Sequence, residues 1–247
     1  MATGKTNSRW YRLIYGGYNL SGDARAVGGF GEEYTEEDVT GWSDDVINFN
    51  MGRQRIFLEG FQAVFNNTAS TGSHSVLATL PNSYASMFVG IRAAPAVGDP
   101  TFSLPLQTSA YTATGDGPVL VNINANVMQT GALTVGSLPI RCFGVAVAVG
   151  ASLSGTTNGT SVDNGASSSN GALAYLHVTA SSGGTWAFSI QHSSDNSSFS
   201  DLITFSANGS AVTAEQGTVT GSVNRYIRLR AARTSGTVTA WATFIRL

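Results

Sequence analysis

Residues 151–171 read ASLSGTTNGTSVDNGASSSNG. Sixteen of these 21 residues are Ser, Thr, Gly or Asn, and Asp163 is the one charge among them. Such a stretch has little apolar surface with which to offset the entropy of ordering its backbone. Its flanks are the opposite, PIRCFGVAVAVG before it and ALAYLHV after it. A polar segment between two apolar strands reads as a tether between packed units; the other reading is a long surface loop inside one domain. The expected division is a β body at 1–150, a tether at 151–171, and a small Ig-like or jelly-roll-like β-sandwich at 172–247.

The bulk numbers fit that division. A chain of 247 residues makes one large β domain or two smaller ones. Apolar residues make up 42%, enough for real cores, but charged residues only 11%, well below the roughly 25% of an average soluble chain. A surface built from Ser, Thr, Gly and Asn suits a protein much of whose surface is covered by copies of itself or by partners. The net charge of −2 gives no global attraction to nucleic acid or anionic lipid. Cys142 is the only cysteine, which excludes an internal disulfide and a multi-cysteine metal site. Its apolar strand makes it a buried small hydrophobe. The start, MATGKTNSRW, has no apolar h-region, and no apolar run approaches ~20 residues, so neither a secretory signal nor a membrane-spanning helix is expected.

In the body, WYRLIY (10–15) reads as a strand, Gly16-Gly17 as a turn, and Ala24–Phe30 as a weaker strand. Then come Glu32, Glu33, Glu36, Glu37, Asp38, Asp44 and Asp45, seven of the 15 acidic residues within 14 positions. The side-by-side pairs lack the alternation of a calcium loop, leaving a solvated face or loop, or a surface that repels another polyanion. Val46–Phe49 and Arg55–Phe65 read as two strands, the second bulged at Gly60. Ser73 is placed to cap the one helix expected, His74–Leu80, which Pro81 ends. Further strands are expected at 86–92, at 101–107, at 118–127 and at 139–149. The 101–107 strand is assigned to an edge because Pro105 has no N–H. In the last, Phe143, Val145, Val147 and Val149 share a buried face. The fold class is all-β, a sandwich or open barrel with one short helix.

After the tether the turns recur every 8–12 residues. Trp186, Phe188 and Ile190 face inward, as do Ile227 and Leu229. Arg225, Arg228, Arg230 and Arg233 form either a candidate anion or sugar-acid face or the solvent side of an amphipathic strand. His74, His177 and His192 have no partner at metal or triad spacing, and no nucleophile elbow, phosphate loop or zinc-helix motif occurs. No catalysis, cofactor or metal is expected.

The order RWYRLIYGGYNLSGD, EEYTEEDVTGW, IFLEGFQAVFNN and MFVGIRAAPAVGDP resembles the major tail tube protein of long, non-contractile-tailed phages, over most of residues 9–130. The C-terminal part resembles the small outward-facing sandwich domains such proteins carry, and NRYIRLR resembles strands of discoidin-like sugar-binding modules. The resemblance implies a virion protein, assembled in the host cytoplasm. Its partners would be itself in stacked, hexameric rings, other tail proteins, and DNA that passes through the bore without specific binding. The acidic run Glu32–Asp45 would then line the bore or lie between rings, and the C-terminal sandwich would project outward. The competing reading is a capsid decoration protein or a receptor- or carbohydrate-binding virion protein. On the tube reading, cutting the tether should leave a body that still assembles.

Overall fold

The run ALAYLHV lacks the alternation of a strand with one wet face, and its position in the fold explains why. In the computed structural model, which describes residues 8–69, 71–79, 82–91, 93–115, 120–126 and 134–247, this run opens a strand buried on both faces. The chain orders as β1 (Tyr11–Tyr15), β2 (Tyr18–Asn19), β3 (Ala24–Ala26), β4 (Gly29–Asp38), β5 (Phe49–Val64), helix α1 (Ser73–Thr79), β6 (Asn82–Val89), β7 (Pro100–Thr114), β8 (Leu120–Asn126), β9 (Thr134–Val135), β10 (Leu138–Pro139) and β11 (Phe143–Leu153). It continues as β12 (Thr157–Asn158), β13 (Val162–Asp163), β14 (Ala172–Ser181), β15 (Trp186–Ser193), β16 (Ser200–Thr204), β17 (Thr213–Val219), β18 (Tyr226–Arg233) and β19 (Val238–Arg246). The fold is all-β with one short α-helix among the described residues.

Twelve strands form one sheet, in the order β17-β14-β19-β11-β7-β6-β1-β2, with β8, β5, β4 and β3 branching from β7. A five-stranded sheet, β12-β18-β15-β16 with β13 also on β18, covers the C-terminal half. The long sheet curls until its ends approach. Gly17, at φ +88°, lies so close to β17 that an added Cβ would stand 2.7 Å from the Thr213 carbonyl oxygen. Side chains also meet across the curl: His177 Nε2 lies 2.8 Å from Ser86 Oγ, and Ser103 Oγ lies 2.8 Å from both Ser86 Oγ and Thr243 Oγ1. These bonds join β14, β6, β7 and β19.

Two large cores result. One packs Leu13, Met87, Phe102 and Leu104 against Ile56, Leu58, Phe61 and Leu77, and it also takes in Leu173, Tyr175 and Ile245 from β14 and β19. The other packs the opposite faces of β14 and β19, including Leu176 and Phe244, against Trp186, Phe188, Ile190, Ile227 and Leu229 of the smaller sheet. A small cluster of Ile14, Phe88, Ala146 and Trp241 fills the curl. Trp186, Tyr175 and Trp241 are therefore core residues.

This arrangement corrects the expected division at 151–171. β11 runs on to Leu153 and pairs with both β7 and β19, so one sheet crosses the boundary. The polar stretch then lays β12 and β13 along β18. The N–H groups of Gly159, Asn164, Ser168 and Gly171 add backbone bonds to the carbonyls of Leu229, Arg225, Val223 and Gly221, while Leu153 and Val162 touch the C-terminal core and Asp163 pairs with Arg225. Hydrogen bonding to an existing edge, rather than apolar burial, orders it. The C-terminal sandwich exists, but one of its two sheets is shared with the body.

Three smaller expectations also change. Pro105 is not on an edge strand. The Ser103 N–H donates to the Cys142 carbonyl, so the N side of residue 105 faces the same way, where β11 pairing has stopped at Phe102 and β8 pairing starts only at Gln107. Proline sits at the one gap where no N–H is needed. Ser73 is the first helical residue and its Oγ donates to the Val64 carbonyl, while Asp23 Oδ2 accepts from the Ser73 N–H and caps α1 from a distance. Leu80, Pro81, residues 116–119 and Val127 lie outside the described residues. Phe143 is half-exposed, not buried; on β11 the fully buried residues are Ala146 and Val147, on opposite faces.

Candidate assembly surface

Five of the seven acids, Glu32 to Asp38, lie on a strand, and Asp44 and Asp45 lie in the loop that follows it. β4 pairs with β5 from Gly29↔Glu59 to Asp38↔Phe49, and β5 is one strand of 16 residues where two were expected. Glu and Asp have low intrinsic strand preference, so the partner strand, not the local sequence, decides the conformation. Gly60 does form the expected bulge, at φ +62° between Leu58 and Phe61.

The base of this hairpin is anchored. Glu32 is nearly buried, and its Oε1 accepts from the Cys142 N–H at 2.7 Å and from its Sγ at 3.2 Å, with Arg141 3.7 Å from the other oxygen. Burial, with the Glu32 charge beside it, pushes the Cys142 thiol far up, so it stays protonated. Gln54 Nε2 donates to the Ile140 carbonyl at 2.9 Å, and Arg55 pairs with Glu33 and Glu59.

Past that point no third strand joins the arm among the described residues; the described β8 pairs with β5 from Phe57 onward. A bare two-stranded hairpin is marginal in water. Its tip is shaped by two of the acids. The Thr40 side chain and N–H bond Asp38, and Asp44 accepts from the Gly41 N–H and the Asn48 amide, which holds both carboxyls below the usual carboxylate range. The tip nevertheless exposes Val39, Trp42, Val46, Ile47, Phe49 and Met51, with Trp42 fully exposed and Met51 77% exposed. These six account for most of the large apolar side chains exposed among the described residues.

The structure thus divides the seven acids by role. Glu32 anchors the base, Glu33 pairs with Arg55, Asp38 and Asp44 build the tip, and Glu36, Glu37 and Asp45 stand exposed beside the apolar residues. They do not converge: among the described residues no three His, Cys, Asp or Glu are grouped to hold a metal ion. Sequence reading missed the apolar half of the tip. The signal was present, since Val39, Trp42, Val46 and Ile47 are interleaved with acids where no core-facing period exists.

The arginine face is engaged within the chain. Arg225 binds Asp163 through two bonds of 2.7 and 2.6 Å, which holds that carboxyl at about 2. Arg228 donates to Gln191 and lies 3.7 Å over the Phe199 ring, and Arg233 donates to the Gly236 carbonyl. Arg230 lies near Asp201 and is half-buried. His177, Ser86, Ser103 and Thr243 are fully buried inside the curl. No helix among the described residues is long and apolar enough to cross a membrane.

No protein-family model matches this chain. No curated protein matches it either. Among solved structures, it aligns with the crystal structure of the SPP1 Dit protein (gp 19.1), described as a paradigm of hub adsorption apparatus in Gram-positive infecting phages. That alignment covers 96% of this chain and 99% of the other at 13% identity and a TM-score of 0.34. A superposition at that score fixes neither the fold nor the function of this chain.

Proposed function

We propose that this chain is a structural virion protein that assembles with copies of itself into stacked rings, forming a phage tail tube through which DNA passes without specific binding. One observation carries the reading: a projecting arm, two-stranded among the described residues, whose tip exposes six large apolar side chains. A monomer has no use for such a tip, which invites aggregation unless a partner covers it. The low charge content fits a surface mostly covered by copies. The sequence resemblance supplies the ring, its hexameric count and the bore. On this reading Glu32–Asp45 lies between subunits rather than along the bore, since four of its seven acids are used inside the chain.

The mass distribution of the purified full-length chain in solution tests the reading. A concentration-dependent ladder reaching hexamers and their multiples is the expected result. A monomer at all concentrations, or a discrete trimer of the kind a capsid decoration protein forms, overturns it.

A further inference from the structure

The arm tip needs a site of matching shape and charge, and the chain carries one. A cleft of about 290 Å³ opens between β1 and the β3–β4 segment. Its floor is apolar, including Leu13, Val27, Phe30 and Met87, and three arginines, Arg9, Arg12 and Arg25, line it, with no acid among the described lining residues. The side chain of Arg25 is exposed, and Arg12 is held in place by donating to the Arg9 and Tyr11 carbonyls. An apolar floor ringed by cations complements an apolar tip ringed by Glu36, Glu37 and Asp45.

The arm cannot reach the cleft of its own chain. Phe30 lines the cleft, and Asp38 lies eight residue steps further along β4, about 26 Å at the rise of an extended strand. The tip loop lies beyond that again. The ladder with β5 and the anchors at Glu32 and Gln54 fix the direction of the arm.

We infer that the Trp42-bearing arm tip of one copy docks in the arginine-rimmed cleft of a second copy. The inference rests on the self-assembly reading and names the two surfaces that carry it. The contact is heterologous: each copy gives an arm and receives one. Repetition therefore closes a ring or extends a filament, and does not stop at a symmetric dimer. Trp42 is the anchor residue, entering the floor, while the carboxylates set its register against the arginines. The tip is also where a marginal hairpin gains its missing packing, so docking and ordering of the arm are coupled.

The test uses two full-length variants and their mixture. Trp42→Ala disables the arm and leaves the cleft. Arg25→Glu with Ala26→Trp disables the cleft and leaves the arm; both of these positions are exposed. Each variant alone should lose association by at least about 30-fold. Mixed, they share one intact arm–cleft pair and should form a 1:1 dimer that grows no further. Near-UV circular dichroism and thermal melts show that each variant is folded, and Ile47→Asp serves as a second arm variant. If both variants assemble like the natural chain, the docking is overturned while self-assembly stands. If folded variants stay monomeric when mixed, it is overturned as well. If the natural chain does not assemble at all, the proposed function falls with it.

Discussion

Acidification should unfold this protein through His177. The imidazole is fully buried in the curl of the sheet, with Nε2 on Ser86 Oγ and Nδ1 without a hydrogen-bond partner among the described residues. Burial disfavours the charged ring and holds its pKa down to about 3, against an ordinary value near 6.5. The unfolded chain therefore binds a proton more readily than the folded one. The stabilisation is complete above pH 6.5 and is lost as pH falls from there toward 3. The slope in that window is about 1.4 kcal/mol per pH unit, so going from pH 6.5 to pH 5 costs about 2 kcal/mol. That is a large share of the 5–15 kcal/mol typical of a domain. His192 is also shifted down, by burial and by Arg246, and adds a slope of the same sign. The comparison is therefore with His177→Gln, which keeps a hydrogen-bonding group near Ser86 but cannot titrate. Urea melts of both proteins from pH 7.5 to 4.5 should show the natural chain losing stability faster by about 1 kcal/mol per unit below pH 6. Parallel curves would refute the burial argument.

Other outcomes follow from the same geometry. Removing residues 151–247 should leave a chain without a cooperative thermal transition, because β14 and β19 complete both cores; a folded 1–150 fragment would restore the two-unit division. Limited proteolysis should spare residues 151–171, which a free tether would not survive. Gly17→Ala should lower stability by about 1–3 kcal/mol in a denaturant melt, since it adds a Cβ at positive φ against the Thr213 and Val178 backbone. Pro105→Ala should change stability by under about 1 kcal/mol, whereas Ser103→Pro, which removes the bond to Cys142, should cost about 3 kcal/mol or more.

The all-β class was legible because turn glycines and apolar alternation are local signals. Ile227 and Leu229 face inward as their phase in NRYIRLR requires, and the Gly60 bulge follows from a glycine in a strand. What failed was whatever depends on a distant partner. β12 and β13 exist because β18 offers an edge to a Ser- and Gly-rich stretch whose composition argues for disorder. β4 exists because β5 pairs with it, against the preferences of five acidic residues. Pro105 looked like an edge because no single-strand rule shows that β11 ends where β8 has yet to begin. The candidate site was half legible: the acids stood out, while the apolar residues beside them gained meaning only once the arm was seen to project without cover. The cleft was not legible at all, since Arg9, Arg12 and Arg25 meet only through the packing of β3 near β1.

Negative-stain microscopy of the purified full-length chain, beside Trp42→Ala, tests the central claim most directly. The account predicts rings and tubes for the natural chain and separate compact particles for the variant. Separate particles for both, or tubes for both, would contradict it.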